Sequence, residues 1–117
     1  MVHEKSGTEI YSDAPVDNNG KGEAFSPTDL VASSLVSCIL TIAGIHFKKK
    51  GVILLPISCD VKKVMYPNPR RVGEIIIDFD FGENNFKQKE LDIFSKIVNT
   101  CPVTNSLNPE ILMKTNL

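Results

Sequence analysis

The chain has no tryptophan, two histidines and three cysteines in 117 residues, and its only arginines are Arg70 and Arg71. Each shortage excludes something. Cysteines at positions 38, 59 and 101 form no Cys-x-x-Cys pair. So odd and sparse a set is not the dense framework of a small secreted domain, and free thiols in a reducing cytoplasm are expected. Two histidines and scattered carboxylates at no recognisable spacing leave no metal site to expect, and no cofactor is called for. Gly20-Lys21-Gly22 lacks the length and context of a phosphate loop. Lys plus Arg is 13 against 14 for Asp plus Glu, a net charge of −1. Nucleic-acid binders usually carry a strong basic excess, so no such partner is expected. The opening Met1-Val2-His3-Glu4-Lys5 has no apolar run of an export signal behind it.

What is present is an ordinary globular composition, 42% apolar, without low-complexity tracts. Its length suits one domain, 1–117, with a core barely adequate for stability. The most conspicuous segment runs from Leu30 to Phe47 and is followed by Lys48-Lys49-Lys50. It is at the short end of a membrane span. Its serines, Thr41 and His46 favour a buried helix of a soluble protein instead, so no membrane partner is expected. Ser26 is the expected N-cap, Pro27 the first helical residue and Asp29 the N3 member of a capping box. Phe25 is placed to staple onto Leu30. Gly51 is the natural stop, and His46 sits where a cation suits the helix dipole. A helix apolar on nearly all sides seeks burial on nearly all sides, which one small chain cannot supply. A partner subunit is implied.

Elsewhere, Thr8–Tyr11 reads as a short strand and Ser12–Gly22 as a loop. Ile53–Met65 and Arg71–Phe81 alternate with period two and predict an antiparallel hairpin around Tyr66-Pro67-Asn68-Pro69-Arg70. Lys87–Thr100 predicts an amphipathic helix with Leu91, Phe94, Ile97 and Val98 inward. Pro102 interrupts it, and Glu110–Leu117 closes the chain as an edge strand. The class is α+β.

The thiols differ in setting. Cys59 lies on an apolar strand face and reads as core. Cys38 lies inside the first helix, away from any dipole assistance, and by composition reads as a buried structural thiol. Cys101 lies at a helix break beside Pro102, where free N–H groups favour a thiolate. Cys38 and Cys101 are 63 positions apart. Should they meet, they could cycle between dithiol and disulfide, one attacking an oxidant and the other resolving the sulfenic acid. Arg70 and Arg71 are surface charges by default, although one of them could reach a thiolate.

The segments FSPTDLVASSLVSC (Phe25–Cys38) and CPVTNSL (Cys101–Leu107), in that order and at that spacing, resemble the two cysteine motifs of the OsmC/Ohr family of thiol-dependent hydroperoxide reductases. Asp13-Ala14-Pro15 and Pro69-Arg70-Arg71 fit the same pattern. The resemblance implies an OsmC-like fold: an intertwined homodimer whose long central helices are wrapped by antiparallel sheets. It implies a chain shortened at its N-terminus. It assigns Cys38 as the peroxidatic thiolate and Cys101 as the resolving thiol, with organic hydroperoxides as substrates and a dithiol molecule or protein as reductant. Arg70, Arg71 and Asp29 become candidate contacts of the thiolate or peroxide, and Leu35, Ile39 and Ile42 candidate pocket residues. Thr28 stands where peroxidase members carry a Glu, and their N-terminal Arg has no counterpart. This departure motivates a second reading, a non-catalytic OsmC-like dimer that binds a small apolar or thiol-containing ligand.

Overall fold

The computed structural model describes residues 1–117. Two compact units divide the chain, 1–31 and 32–117. The boundary falls inside helix α1 (Pro27–Lys49).

In the first unit the expected strand at Thr8–Tyr11 is reduced to isolated bridges, Val2 with Glu9 and Ser12 with Phe25. Thr8–Tyr11 is exposed throughout, so no buried face drives a longer ladder. The loop from Ser12 to Gly22 is organised instead by one carboxylate. Asp13 accepts the backbone N–H of Ala14 at 2.8 Å and those of Lys21 and Glu23 at 3.2 Å. The backbone folds so tightly here that a Cβ on Gly20 would lie 1.7 Å from the Ala14 carbonyl oxygen. Ser26 and Asp29 then open α1 reciprocally. Ser26 N–H donates to Asp29 Oδ2 at 2.8 Å, and Asp29 N–H donates to Ser26 Oγ at 3.1 Å. This is the expected capping box. The expected staple does not bury Phe25, which is 58% exposed; its backbone is tied back to Asp13.

In the second unit, α1 buries one stripe: Ala32, Leu35, Val36, Ile39, Ala43 and Phe47. Ser34, Ser37, Thr41, Ile45 and Lys48 on other sides are exposed. Burial on nearly all sides is therefore not achieved within one chain, because a single three-stranded sheet and α2 cover only one face. By length and composition α1 is long and apolar enough to cross a membrane; 33% of its most apolar window is buried, and that part packs the core. Gly51, at φ 72°, terminates it, with Gly51 N–H donating to Lys48 O and Val52 N–H to Phe47 O, both at 3.0 Å.

Residues 52–57 run without regular structure into β1 (Ser58–Tyr66), five residues later than the periodicity suggests. Val52, Ile53 and Leu55 are exposed, so the apolar run there does not mark a buried strand. β1 pairs antiparallel with β2 (Arg71–Asp80), as expected of the hairpin. β3 (Leu112–Asn116) adds in parallel to the other side, giving the order β1-β2-β3. The central β2 carries the buried Val72, Ile75 and Ile77. Its register shifts opposite Val64/Met65, and Gly73 lies at that irregularity, where a Cβ would lie 2.2 Å from the Tyr66 ring. Tyr66 OH donates to Glu74 at 2.9 Å and Lys114 Nζ reaches the same carboxylate at 3.1 Å, a clasp across all three strands. α2 (Gln88–Thr100) buries Phe94, Ile97 and Val98. Phe94 meets Phe79 and Phe81 edge-on at 4.9 and 5.1 Å between centroids, and Phe86 stacks on Phe47 at 5.3 Å. These rings join sheet, α2 and α1 into one core. The architecture is α+β, as the sequence predicts.

The Asp13 loop carries a testable consequence. The Glu23 N–H first, against the opposing effect of burial, and then the N–H groups of Ala14, Lys21 and Gly22 hold the Asp13 carboxyl below the usual carboxylate range. A lowered native pKa contributes stability above the unfolded value of about 4, lost as pH falls through the native one. Proteolysis within 14–22 is therefore expected to accelerate on acidification below about pH 4. In Asp13→Asn it should be fast at every pH. An acid-insensitive cleavage rate in the native protein would count against this account.

Candidate redox-active thiol site

Cys101 owes its position to its neighbour. Pro102 has no N–H and cannot continue α2. Cys101 N–H closes the helix by donating to Ile97 O at 3.0 Å, and the chain then turns extended at Cys101, φ −65° and ψ 152°. A short helix, α3 (Pro102–Ser106), starts at once with Cys101 as its N-cap. The sulfur takes the place of the usual oxygen cap. Thr104 N–H donates to Cys101 Sγ at 3.3 Å, and Thr104 Oγ1 stands 3.1 Å from it. The same hydroxyl donates to Val98 O at 2.7 Å. Val98 O is the carbonyl that the missing Pro102 N–H would have bonded.

Cys101 is 1% exposed. Cys38, on α1, is half-buried, and its thiol is close enough to Cys101 to help lower the Cys101 thiol. The structure thus brings together the two thiols that stand 63 positions apart. Burial by itself raises the Cys101 thiol. The hydrogen bonds from the Thr104 side chain and N–H, from Cys38 and from the Val103 N–H outweigh it and set Cys101 below the ordinary thiol range. Cys59 behaves oppositely: burial, then the negative charge of Asp60, push it up. Its half-buried place on β1, opposite Phe79, suits the core role expected of it.

The remaining candidates are placed as follows. Arg71 is exposed and tied to its own turn, with Nη1 donating to the carbonyls of Pro67 at 3.4 Å and Pro69 at 3.3 Å and its guanidinium 5.6 Å from the Tyr66 ring centre. Arg70 is exposed in the same turn. Asp29 belongs to the first unit and serves the α1 capping box. Leu35 and Ile39 are 0% exposed and pack the core, so within one chain they offer no surface to a ligand. Ile42 is half-buried. No group of three or more His, Cys, Asp or Glu side chains stands where it could hold a metal ion.

Sequence reasoning missed Thr104. The signal was available: Cys-Pro-x-Thr places a hydroxyl and an N–H at N3 of a helix whose N-cap is the cysteine.

Two neighbouring thiols, one biased toward thiolate, form an arrangement suited to thiol–disulfide exchange. Comparisons with known proteins show the family and the fold. The family described as OsmC-like protein matches residues 20–116. Among solved structures, a Psychrobacter arcticus 273-4 protein designated an osmotic stress induced and detoxification response protein is 46% identical, with a TM-score of 0.92 over 97% of this chain and 82% of that one. A Legionella pneumophila organic hydroperoxide resistance protein OsmC shares the fold at 18% identity, with a TM-score of 0.67 over 88% of this chain and 76% of that one. The organic hydroperoxide resistance protein OhrB of Bacillus subtilis shares it at 12% identity, with a TM-score of 0.57 over 80% and 70%. None of the curated protein sequences compared matches this one at a significant level.

Ultraviolet thiolate absorbance followed against pH checks the site. The first thiolate is expected below the midpoint of a free cysteine, about 8.5. It should persist in Cys59→Ser and disappear in Cys101→Ser. Because Cys101 is an acid with a lowered pKa, its contribution to stability is present above the unfolded value and lost as pH falls through the native one. A first midpoint unchanged by Cys101→Ser would contradict this.

Proposed function

The chain belongs to the OsmC-like protein family, and on that premise we propose that it is a cysteine-based peroxidase that reduces organic hydroperoxides to alcohols. The observation that carries the reading is that Cys38 and Cys101, 63 positions apart, are neighbours in the fold. Cys38 is the more accessible of the two and meets the peroxide; Cys101, buried behind it, resolves. The Cys38 thiolate attacks the distal peroxide oxygen, an S–O bond forms and the O–O bond breaks. The departing alkoxide takes a proton from water and leaves as the alcohol. Cys101 then attacks the Cys38 sulfur, expelling water and closing the disulfide. A dithiol reductant restores both thiols by exchange, in the cytoplasm, where free thiols persist.

The same reading includes a homodimer. The exposed side of α1, with Ser34, Ser37, Thr41 and Ile45, supports it, since a partner helix can approach closely over small residues. The competing reading is a dimer that binds a small apolar or thiol-containing ligand without turnover. It is favoured by Thr28, whose hydroxyl lies 3.2 Å from Ser26 Oγ at the start of α1, where a Glu would be expected.

Titration of the reduced protein with cumene hydroperoxide separates them. Peroxidase action predicts a mass loss of two hydrogens linking Cys38 to Cys101 with Cys59 still free, and turnover with dithiothreitol that falls at least ~100-fold in Cys38→Ser. Persistent free thiols and no alcohol would leave the ligand-binding reading. For assembly, sedimentation is expected to give a dimer, and Thr41→Arg on the exposed face of α1 should convert it to monomer. A folded wild-type monomer would overturn the dimer.

A further inference from the structure

The hydroxyl of Thr104 stands between two acceptors with one proton to give. Its Oγ1 is 2.7 Å from Val98 O and 3.1 Å from Cys101 Sγ. With the proton on Val98 O, the hydroxyl can only accept from the Cys101 S–H, a setting that suits the thiol. Once Cys101 ionises, its sulfur has no proton to offer and becomes the stronger acceptor. A hydrogen bond to a charged atom is roughly twice as strong as one to a neutral carbonyl. Near-complete burial, at 1% exposure, strengthens that preference because water cannot take over the role. The Thr104 N–H, 3.3 Å from the sulfur, holds Cys101 in register in both settings. Across the sulfur, the titratable group facing Cys101 is Cys38 on α1.

We infer that Thr104 is a positioning residue for the closing step of the thiol cycle, its hydroxyl turning from Val98 O to Cys101 Sγ as Cys101 becomes the nucleophile. The inference rests on the peroxidase reading. In that step the Cys101 sulfur bonds to the Cys38 sulfur and the S–O bond of the Cys38 sulfenic acid breaks. The hydroxyl departs with the Cys101 proton as water. The sulfenic sulfur is reduced and Cys101 is oxidised, so no further oxidant is needed. Thr104 gains and loses no proton; it changes acceptor, then returns to Val98 O when the disulfide leaves a neutral sulfur. Pro102 makes the return possible, because no backbone N–H competes for Val98 O.

The test uses the full chain, reduced and then given one equivalent of tert-butyl hydroperoxide, with a sulfenic-acid trap and timed mass analysis. Sulfenic acid at Cys38 should form at the wild-type rate in Thr104→Val, whereas disulfide closure slows by about tenfold and its pH midpoint rises by about one unit. Thr104→Ser, which keeps the hydroxyl, should close within about twofold of wild type with an unshifted pH profile. Closure in folded Thr104→Val at the wild-type rate and pH midpoint overturns the inference. If Thr104→Val does not fold, Thr104→Ser decides: slow closure there shows that the γ-methyl packing matters rather than the hydroxyl, and also overturns it. Absence of Cys38 sulfenic acid and of disulfide in the wild type defeats the peroxidase reading itself, a result distinct from either.

Discussion

Pro102 has no N–H to offer Val98, and the setting of Cys101 follows from that gap. The break ends α2 at Thr100, turns the chain at Cys101 and begins α3 one residue later. Without the break, residue 101 would continue a helix and its sulfur would point wherever the helical period sent it. With it, the sulfur becomes a cap, taking Thr104 N–H and facing Cys38. The carbonyl orphaned by proline is satisfied by the Thr104 hydroxyl at 2.7 Å, so the repair of a backbone defect and the environment of a thiol use the same side chain. A backbone group left unpaired in a buried place would cost about 1–3 kcal/mol. That cost is reason enough for a hydroxyl at this position whatever else it does.

The direction of the Cys101 shift shows which effect wins at this site. Burial favours the neutral thiol, as it does at Cys59, where no donor opposes it and the Asp60 charge adds to it. At Cys101, donors from Thr104, Cys38 and Val103 reverse the sign. Two cysteines of one chain are thus driven opposite ways: hydrogen bonding lowers Cys101, while burial and the Asp60 charge raise Cys59. Exposure separates Cys38 from Cys101 in turn: the half-buried thiol can meet a solute and the buried one can meet only its neighbour.

Helix α1 presents the complementary problem. Its inward stripe from Ala32 to Phe47 completes the core with the β2 isoleucines and the phenylalanine cluster. Its other sides retain Ser34, Ser37, Thr41 and Ile45 in the open. An apolar helix with small residues on its exposed side is well suited to close packing against another helix. The short sheet likewise has unpaired outer edges on β1 and β3. The sheet edges and the α1 face are the surfaces on which the proposed homodimer would pack.

Local chemistry was legible wherever it is decided within a few residues. The Ser26/Asp29 capping box, the Gly51 stop, the β1–β2 hairpin and the break at Pro102 all follow from backbone donors, turn residues and period-two patterning, and all are present. The readings that did not hold depended on neighbours distant in sequence. Thr8–Tyr11 lacked a partner strand, Phe25 was tied back to Asp13 rather than buried, and residues 52–57 stayed irregular despite their apolar run. The capping role of Thr104 was readable in Cys-Pro-x-Thr, but its second acceptor, Val98 O, is a backbone atom that no side-chain pattern reveals. The sequence by itself determined the α+β class and where each thiol sits along its element. Only tertiary structure decided that Cys38 and Cys101 are neighbours, that Cys59 does not share their environment and that Arg71 is tied to its own turn. Those facts depend on which side chains share the core and on which donors reach each sulfur, and spacing along a chain does not specify distance through a core.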